Sequence, residues 1–361
     1  MTRIGISCVV PVRCDDRCEG HDGLCRTLER LREVGVDVVV VDGSRGVAAE
    51  QTHRRVFVGV RRLPIEIDPG VNGKVRAVHI GVAAALHERV VIADDDVLFE
   101  PSLLERVARL LDGSDLVVPQ NYFAEPWRWH TYWDTARTLL NRAFGHDYPG
   151  TLAVRRSMFL EMGGYDESAL FENLELIRTV RAAGGQVCWA SDLFVPRAGP
   201  TTSAFLRQRV RQAYDDLGQP LRLVCELSLL PLIAWGLLRH RRGLGAAAAG
   251  AVMLAERGRR RHGGRQVFPF RASLAAPLWV AERASCVWVA VWLRGIKGGV
   301  LYRGSRLRKA ASPAWKLRLR YATSPSRPHE HRHTGAWSEI VRIDTAGRRD
   351  GARSVGVHPR R

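Results

Sequence analysis

The sequence predicts an α/β fold, a doubly wound domain followed by an apolar helical region. Three observations carry that expectation. Short β-branched runs alternate with stretches whose apolar residues recur at helical spacing. The first strand, the helix after it and the second strand fit in about forty residues, the span of a βαβ unit with a right-handed crossover. From Pro220 onward the short runs give way to three longer apolar ones. A chain of 361 residues can hold one large domain with an appendage. The divisions expected are 1–219 for the α/β domain, 220–310 for the helical region and 311–361 for a basic, Pro-, Ser- and Arg-rich disordered tail.

Residues 4–12 form an apolar run containing Pro11, read as the first strand. Cys14, Cys18, His21 and Cys25 follow, but their spacing matches no standard zinc knuckle. Leu24, Leu28, Leu31 and Val34 make a core-facing helical stripe ended by Gly35. Residues 36–41 are a second buried strand, stopped by Asp42-Gly43-Ser44, and 55–67 hold one or two short strands. Asn72-Gly73 is a turn, and Lys74 opens a helix with Val75, Val78, Val82 and Leu86 on its apolar face. The strand 90–93 comes next. Ser102 and Glu105 have the spacing of a capping box for a helix at 103–111, and 115–119 reads as another strand.

The strand at 90–93 ends in Asp94-Asp95-Asp96. Three adjacent carboxylates repel one another, so a positive partner is expected. A hard cation such as Mg²⁺ or Mn²⁺ suits an all-oxygen donor set and shares its coordination with substrate phosphates. Ligands of open α/β sheets bind beyond the carboxyl ends of the strands, where this run lies. The plainer alternative is a solvated acidic turn.

The net charge is +18 and the pI about 10.5, and nearly all of the excess is arginine; the lysines are Lys74, Lys297, Lys309 and Lys316. Such a surplus points to an anionic partner: a phosphorylated substrate, anionic lipid or nucleic acid. Nucleic acid is set aside because no recognised module or interleaving of basic and aromatic residues is present. Seven cysteines, an odd number, with no secretory leader before the first strand lead us to expect reduced, cytoplasmic thiols. His329, His331 and His333 alternate in the tail without completing a site.

The order of these motifs resembles a family 2 glycosyltransferase with the GT-A (Rossmann-like) fold, over about residues 4–215. Val9-Val10-Pro11-Val12 resembles that family's first strand, and Asp42-Gly43-Ser44 its acidic turn after the second. Residues 72–81 resemble its Gly-Lys helix, with His79 where Asn is usual. Asp94-Asp95-Asp96 matches the Asp-X-Asp metal motif, with Asp94 and Asp96 as the two acids. Ala153-Val154-Arg155-Arg156 and Gly163-Gly164-Tyr165-Asp166-Glu167 resemble the acceptor-side segment. Two departures stand out. The catalytic acidic pair is replaced by Phe171-Glu172-Asn173-Leu174-Glu175, and the amide of Asn173 cannot accept a proton at neutral pH. The Gln-X-X-Arg-Trp of membrane-bound relatives is Gln208-Arg209-Val210-Arg211-Gln212, which lacks the Trp.

The resemblance implies transfer from a nucleotide-diphosphate sugar, with UDP the leading nucleotide, by an inverting enzyme. Such transfer needs a neutralised leaving diphosphate, a carboxylate to take the acceptor proton, and a held, in-line geometry. Asp94 and Asp96 are the expected metal ligands, with Asp96 also counted among the catalytic groups. Pro11, Asp42, Lys74, Asp94, Asp95, Gln208 and Arg211 are the expected nucleotide-sugar contacts. Arg76 is a further candidate for phosphate. Gln208 and Arg211 lie three apart on one helix face. Glu172, directly after the Asp166 turn, is the expected base, and Glu175 is expected to be structural or secondary.

In the C-terminal half, 221–238 and 274–293 approach the roughly 20 residues of a membrane-spanning helix but carry Arg222, Glu226, Glu282 and Arg283; 244–255 is too short. Arg-rich stretches at 239–242 and 257–265 join them. A single crossing by 221–238 would leave the Arg239 cluster outside, against the tendency of basic loops to stay in the cytoplasm. We therefore expect interfacial or re-entrant helices on the cytoplasmic face, with arginines on anionic headgroups and a lipid or lipid-linked acceptor. A buried helical subdomain of a soluble protein is the other reading. Residues 298–304 resemble a segment that ends the catalytic region of some lipid-directed relatives. The rival functions are a polyprenyl-phosphate sugar synthase, whose phosphate acceptor needs no strong base, and an inactive nucleotide-sugar-binding scaffold.

Overall fold

The computed structural model describes residues 5–13, 21–44, 60–66 and 68–322. Cys14, Cys18 and the tail histidines lie outside them; Cys25 is half-buried. Seven strands form one sheet: β1 (Ile6–Val12), β2 (Asp37–Asp42), β3 (Arg61–Pro64), β4 (Arg89–Ile92), β5 (Leu116–Phe123), β6 (Leu152–Arg155) and β7 (Val187–Arg197), in the order β3-β2-β1-β4-β6-β5-β7. β1 pairs in parallel with β2 and β4, and β5 with β7. β6 runs antiparallel between β4 and β5, with Ala153 opposite both Val91 and Val117. The sheet is therefore mixed, where the βαβ pattern implied a parallel one. Three apolar residues, Leu152 to Val154, look alike in either direction, so nothing in 152–155 announces the reversal.

Both faces of the sheet are covered, which is why its strands read as continuous apolar runs. On one face Ile6, Cys8 and Val10 of β1 pack with Leu24, Leu28 and Leu31 of α1 (His21–Glu33) and Leu104, Val107 and Leu111 of α3 (Pro101–Asp112). On the other, Val9, Val39 and Val41 pack with Val75, Val78 and Val82 of α2 (Gly73–Ala84), Phe159 of α5 (Arg156–Glu161), and Leu176, Ile177 and Val180 of α6 (Glu172–Ala182). Each fully buried branched side chain contributes roughly 1.5–3 kcal/mol. Two local expectations give way. α3 begins at Pro101 after Glu100, with no side-chain cap, so Ser102 and Glu105 form no capping box; proline at the first helical position sets the entry instead. Leu86 lies beyond the end of α2 and is exposed.

The second half is helical: α7 (Thr202–Tyr214), a 3-10 turn (Asp215–Gly218), α8 (Pro220–Arg239), α9 (Arg241–Arg260), α10 (Phe270–Leu274) and α11 (Ala276–Gly295). The charges that interrupt the apolar runs turn inward and pair. Arg222 Nε lies 3.0 Å from Asp216 and 2.8 Å from Glu226, and Arg283 Nη1 lies 2.8 Å from the other Asp216 oxygen. Leucines and tryptophans are left outward, among them Leu221, Trp235 and Leu238 of α8 and Trp288 and Trp292 of α11. α8 is long and apolar enough to cross a membrane by length and composition. Order also continues past residue 311, where a tail was expected. After the hairpin β8 (Val300–Tyr302) and β9 (Ser305–Leu307), α12 (Ala314–Ala322) buries Leu317, and Tyr321 donates to the Met162 carbonyl.

α9 crosses α4 (Trp129–Phe144) at Gly258, where a Cβ would come within 1.8 Å of the Leu139 carbonyl oxygen. Gly258→Ala should therefore destabilise the fold by about 1–3 kcal/mol. Gly250→Ala, in open space on the same helix, should be neutral or stabilise by up to about 1 kcal/mol. Thermal unfolding of the two variants side by side checks this; equal melting would mean that α9 does not seat on α4 as described.

Candidate active site

The cleft lies beyond the carboxyl ends of β1, β2 and β4 and encloses about 1000 Å³. The ends of β1 and β2 bring Pro11 and Gly43. α2 brings Lys74, α6 brings Glu172 and Asn173, and α7 brings Gln208 and Arg211. α11 adds Val289 and Leu293, and the β8–β9 hairpin adds Tyr302 and Arg303.

Asn72 seats Lys74. Its side-chain oxygen accepts the Lys74 N–H at 3.1 Å while its amide donates to the Ala169 carbonyl at 2.8 Å, so the start of α2 is tied to the segment before α6. The Lys74 ammonium then bridges two carboxylates, Asp94 Oδ1 at 2.6 Å and Glu172 Oε1 at 2.8 Å. Burial works against its charge, but the two carboxylates outweigh burial and hold its pKa above the ordinary lysine range. Arg197, at the end of β7, grips Asp96 Oδ2 through Nη2 at 2.5 Å and Nε at 3.1 Å. Burial pushes the Asp96 carboxyl up to about 6, with Arg197 opposing and the neighbouring Asp94 and Asp95 adding to the rise. Burial also favours protonation of Asp94, yet Lys74 and Arg197 keep its pKa below the usual range. Gly150 packs so closely that a Cβ there would fall 2.2 Å from Asp94 Oδ2.

These residues fit a hard divalent cation. Asp96 Oδ1 is buried without a hydrogen-bond partner, and the donors are all oxygen. Among the described residues no three His, Cys, Asp or Glu side chains converge into a cage. Phosphate oxygens and water would have to complete the coordination, as is usual for Mg²⁺.

The other sequence-predicted residues divide. Gln208 and Arg211 line the cleft, and the Arg211 guanidinium lies 5.3 Å from the Tyr302 ring centroid. Arg209 points away, to Asp134 at 3.0 Å. Asp42, expected at the nucleotide, is buried, bonds Arg62 Nε at 2.9 Å and accepts the Ser44 N–H; its neighbour Gly43 lines the cleft instead. Arg76 is ion-paired with Glu167 and Asp68, away from the cleft lining. His79 is buried, and its Nε2 accepts the Tyr165 N–H at 3.1 Å, which fixes the Gly163-Gly164 turn against α2. Glu175 is fully enclosed, with both oxygens taken by the N–H and hydroxyl of Ser312 at 2.5 Å each. Sequence reasoning passed over Arg197, Gly150, Gln212, Asp215 and Arg303. Gln212 and Asp215 continue the Gln208–Arg211 spacing along the helix. Arg303 and Gly304 both have positive φ, 45° and 86°, at the turn of the hairpin, a pairing that suits a type I′ turn.

The fold and this cleft are those of a glycosyltransferase of the GT-A type. The model for "Glycosyltransferase like family 2" matches residues 32–215, just over half of the chain, and the chain belongs to that family. No curated protein matches the sequence. Among solved structures, mannosyltransferase PcManGT from Pyrobaculum calidifontis, in complex with GDP-Man and Mn²⁺, is 18% identical with a TM-score of 0.47, covering 79% of this chain and 87% of that one. Glucosyl-3-phosphoglycerate synthase from Mycobacterium tuberculosis, with Mn²⁺, UDP and glucosyl-3-phosphoglycerate, is 17% identical with a TM-score of 0.39, covering 56% and 76%. GalNAc-T7 with UDP, GalNAc and Mn²⁺ is 17% identical with a TM-score of 0.39, covering 56% and 45%. At these scores the likenesses carry no functional argument for this chain.

Gly150→Ala should force the Asp94 carboxylate aside and lower the transfer rate about 10²-fold, the scale of a misplacement near 1 Å. Its melting temperature should stay near wild type. Unchanged transfer would show that the position of Asp94 does not matter to the reaction.

Proposed function

We propose that the protein is an inverting hexosyltransferase that moves a sugar from a nucleotide-diphosphate donor, UDP-linked first among the candidates, to the hydroxyl of a lipid or lipid-linked acceptor at the cytoplasmic face of a membrane. One observation carries this reading. The cleft that holds the triple carboxylate also has Val289 and Leu293 of α11 in its wall, and the same helix exposes Trp288 and Trp292 outward. A nucleotide site and an apolar surface thus meet on one element.

In this reading Pro11 and Gly43 border the nucleoside, while Arg211, Arg303 and Lys297 offer charge to the diphosphate. Gln208 lies on the same face of α7. Asp94 and Asp96, with Asp95 beside them, would hold Mg²⁺ or Mn²⁺, which supplies neutralisation of the departing diphosphate when bound. Lys74 and Arg197 keep the two carboxylates in place. Glu172 faces the cleft but is committed to Lys74, so its role is to steady that lysine unless the donor releases it. The outward leucines and tryptophans of α8 and α11, with the arginines of 239–242 and 257–265, suit an anionic interface. Asn173 in the cleft lining favours a second reading, in which the acceptor is a polyprenyl phosphate and no proton need be removed.

A panel of UDP- and GDP-hexoses, assayed for nucleotide release with a membrane lipid extract, tests the function. EDTA should abolish release and Mn²⁺ restore it. Asp96→Ala should lose about 10²-fold or more with little change in melting. Full activity in EDTA would remove the metal from the account, and nucleotide binding without turnover of any donor would favour the scaffold.

Membrane attachment is tested separately. The protein should sediment with vesicles containing phosphatidylglycerol, and Trp235→Glu with Trp292→Glu should weaken that binding about 10²-fold or more, at about 1.5–3 kcal/mol of apolar burial lost per large side chain. Recovery of all the protein in a high-speed supernatant at low salt would instead make 220–310 a soluble subdomain.

A further inference from the structure

The acceptor proton needs a destination, and the two obvious candidates are poor ones. Asn173 is an amide. Glu172 is ion-paired to Lys74 at 2.8 Å, and a carboxylate held by an ammonium is a weak proton acceptor.

The cleft-facing side of α7 supplies another. Ala204, Gln208, Arg211, Gln212 and Asp215 all line the cleft, at intervals of three and four that place them in one stripe. Asp215 closes that stripe where α7 passes into the 3-10 turn. Its Oδ1 is buried without a hydrogen-bond partner, and so is Gln212 Oε1 one turn earlier. A buried carboxylate oxygen left unsatisfied is costly unless a ligand completes it. A hydroxyl donates the hydrogen bond that such an oxygen lacks.

Resting on the glycosyl-transfer reading above, we propose that Asp215 is the catalytic base. Its Oδ1 takes the proton of the acceptor hydroxyl. The acceptor oxygen forms its bond to the anomeric carbon as the anomeric carbon–oxygen bond to the diphosphate breaks. The nucleoside diphosphate leaves with that electron pair, and Asp215 returns the proton to solvent. The amide of Gln212 is placed beside it to orient the acceptor.

The surroundings suit the task. Burial pushes the Asp215 carboxyl up to about 7, with Arg211 of α7 opposing, Glu172 of α6 and the adjacent Asp216 raising it further, and Arg283 of α11 opposing. Arg283 and Arg222 of α8 are themselves tied to Asp216, and Arg303 of the hairpin faces Asp94 and Asp95. A base titrating near neutral pH matches the operating range of a general base.

The test is the pH dependence of nucleotide release, from pH 5.5 to 9, with the UDP-hexose that the wild type turns over in the presence of membrane lipid extract. Wild-type release should fall as the pH drops below about 7. D215N should lose about 10²–10⁴-fold, bind UDP as tightly as wild type, and lose the acidic limb near pH 7 from its residual rate. E172Q should keep that limb. D215E, which retains a carboxylate, should recover part of the rate and show a limb; it decides the matter if D215N fails to fold. A folded D215N within twofold of wild type, or an acidic limb that disappears in E172Q and persists in D215N, overturns the proposal while leaving glycosyl transfer standing. A folded, UDP-binding wild type that releases no nucleotide from any donor overturns the reading beneath it.

Discussion

The architecture turns on a charge balance at the end of β4. Three consecutive carboxylates in a half-buried cleft repel one another strongly, because the dielectric there is low. Lys74 and Arg197 supply the opposing charge, the first between Asp94 and Glu172 and the second against Asp96. Much of the surrounding structure holds these two cations in place. Asn72 fixes the turn of chain that carries Lys74. The stretch 309–312 fixes the start of α6, through the Lys309 and Ala310 carbonyls that accept from Leu170 and Phe171 and through Ser312 on Glu175. Gly150 leaves room for Asp94. Asp96 Oδ1, buried without a hydrogen-bond partner, is the point at which a cation would join.

The helical half solves a different problem with the same means. Its apolar runs are crossed by arginines and glutamates that would be expensive on a greasy surface. Folding turns them inward, where Asp216 collects Arg222 and Arg283. The outer surface is left to leucine and tryptophan. That inner cluster sits directly below Asp215, so the device that lets α8 and α11 present an apolar face also shapes the electrostatics of one cleft wall. The exposed apolar face and the cleft wall thus share contiguous residues.

Local signals were legible in the sequence. Each element of the βαβ unit, the Lys74 helix and the acidic strand end announce themselves within ten or so residues, because strand runs and helical stripes are short-range patterns. Other features were not. Arg197 reaches Asp96 from 101 residues away, and no local pattern marks an arginine at a strand end as a counterion. The capping box at Ser102 lost to Pro101. Glu175 and Ser312 pair across 137 residues, so α12 could not be told from a tail by composition. Asp215 belongs to none of the motifs that carry the family resemblance, although it lies at the end of the stretch they cover and its spacing from Gln208 and Arg211 was there to be followed.

The central claim is that the Asp94–Asp96 carboxylates form a divalent-cation site completed by the donor's phosphates. Equilibrium titration of Mn²⁺, following free Mn²⁺ by electron paramagnetic resonance with and without UDP, tests it most directly. The account predicts weak Mn²⁺ binding by the protein alone, strengthened well beyond the affinity of Mn²⁺ for UDP in solution when both are present, and lost in Asp96→Ala. UDP binding that is equally tight in EDTA, or Mn²⁺ binding that survives Asp96→Ala unchanged, would contradict it.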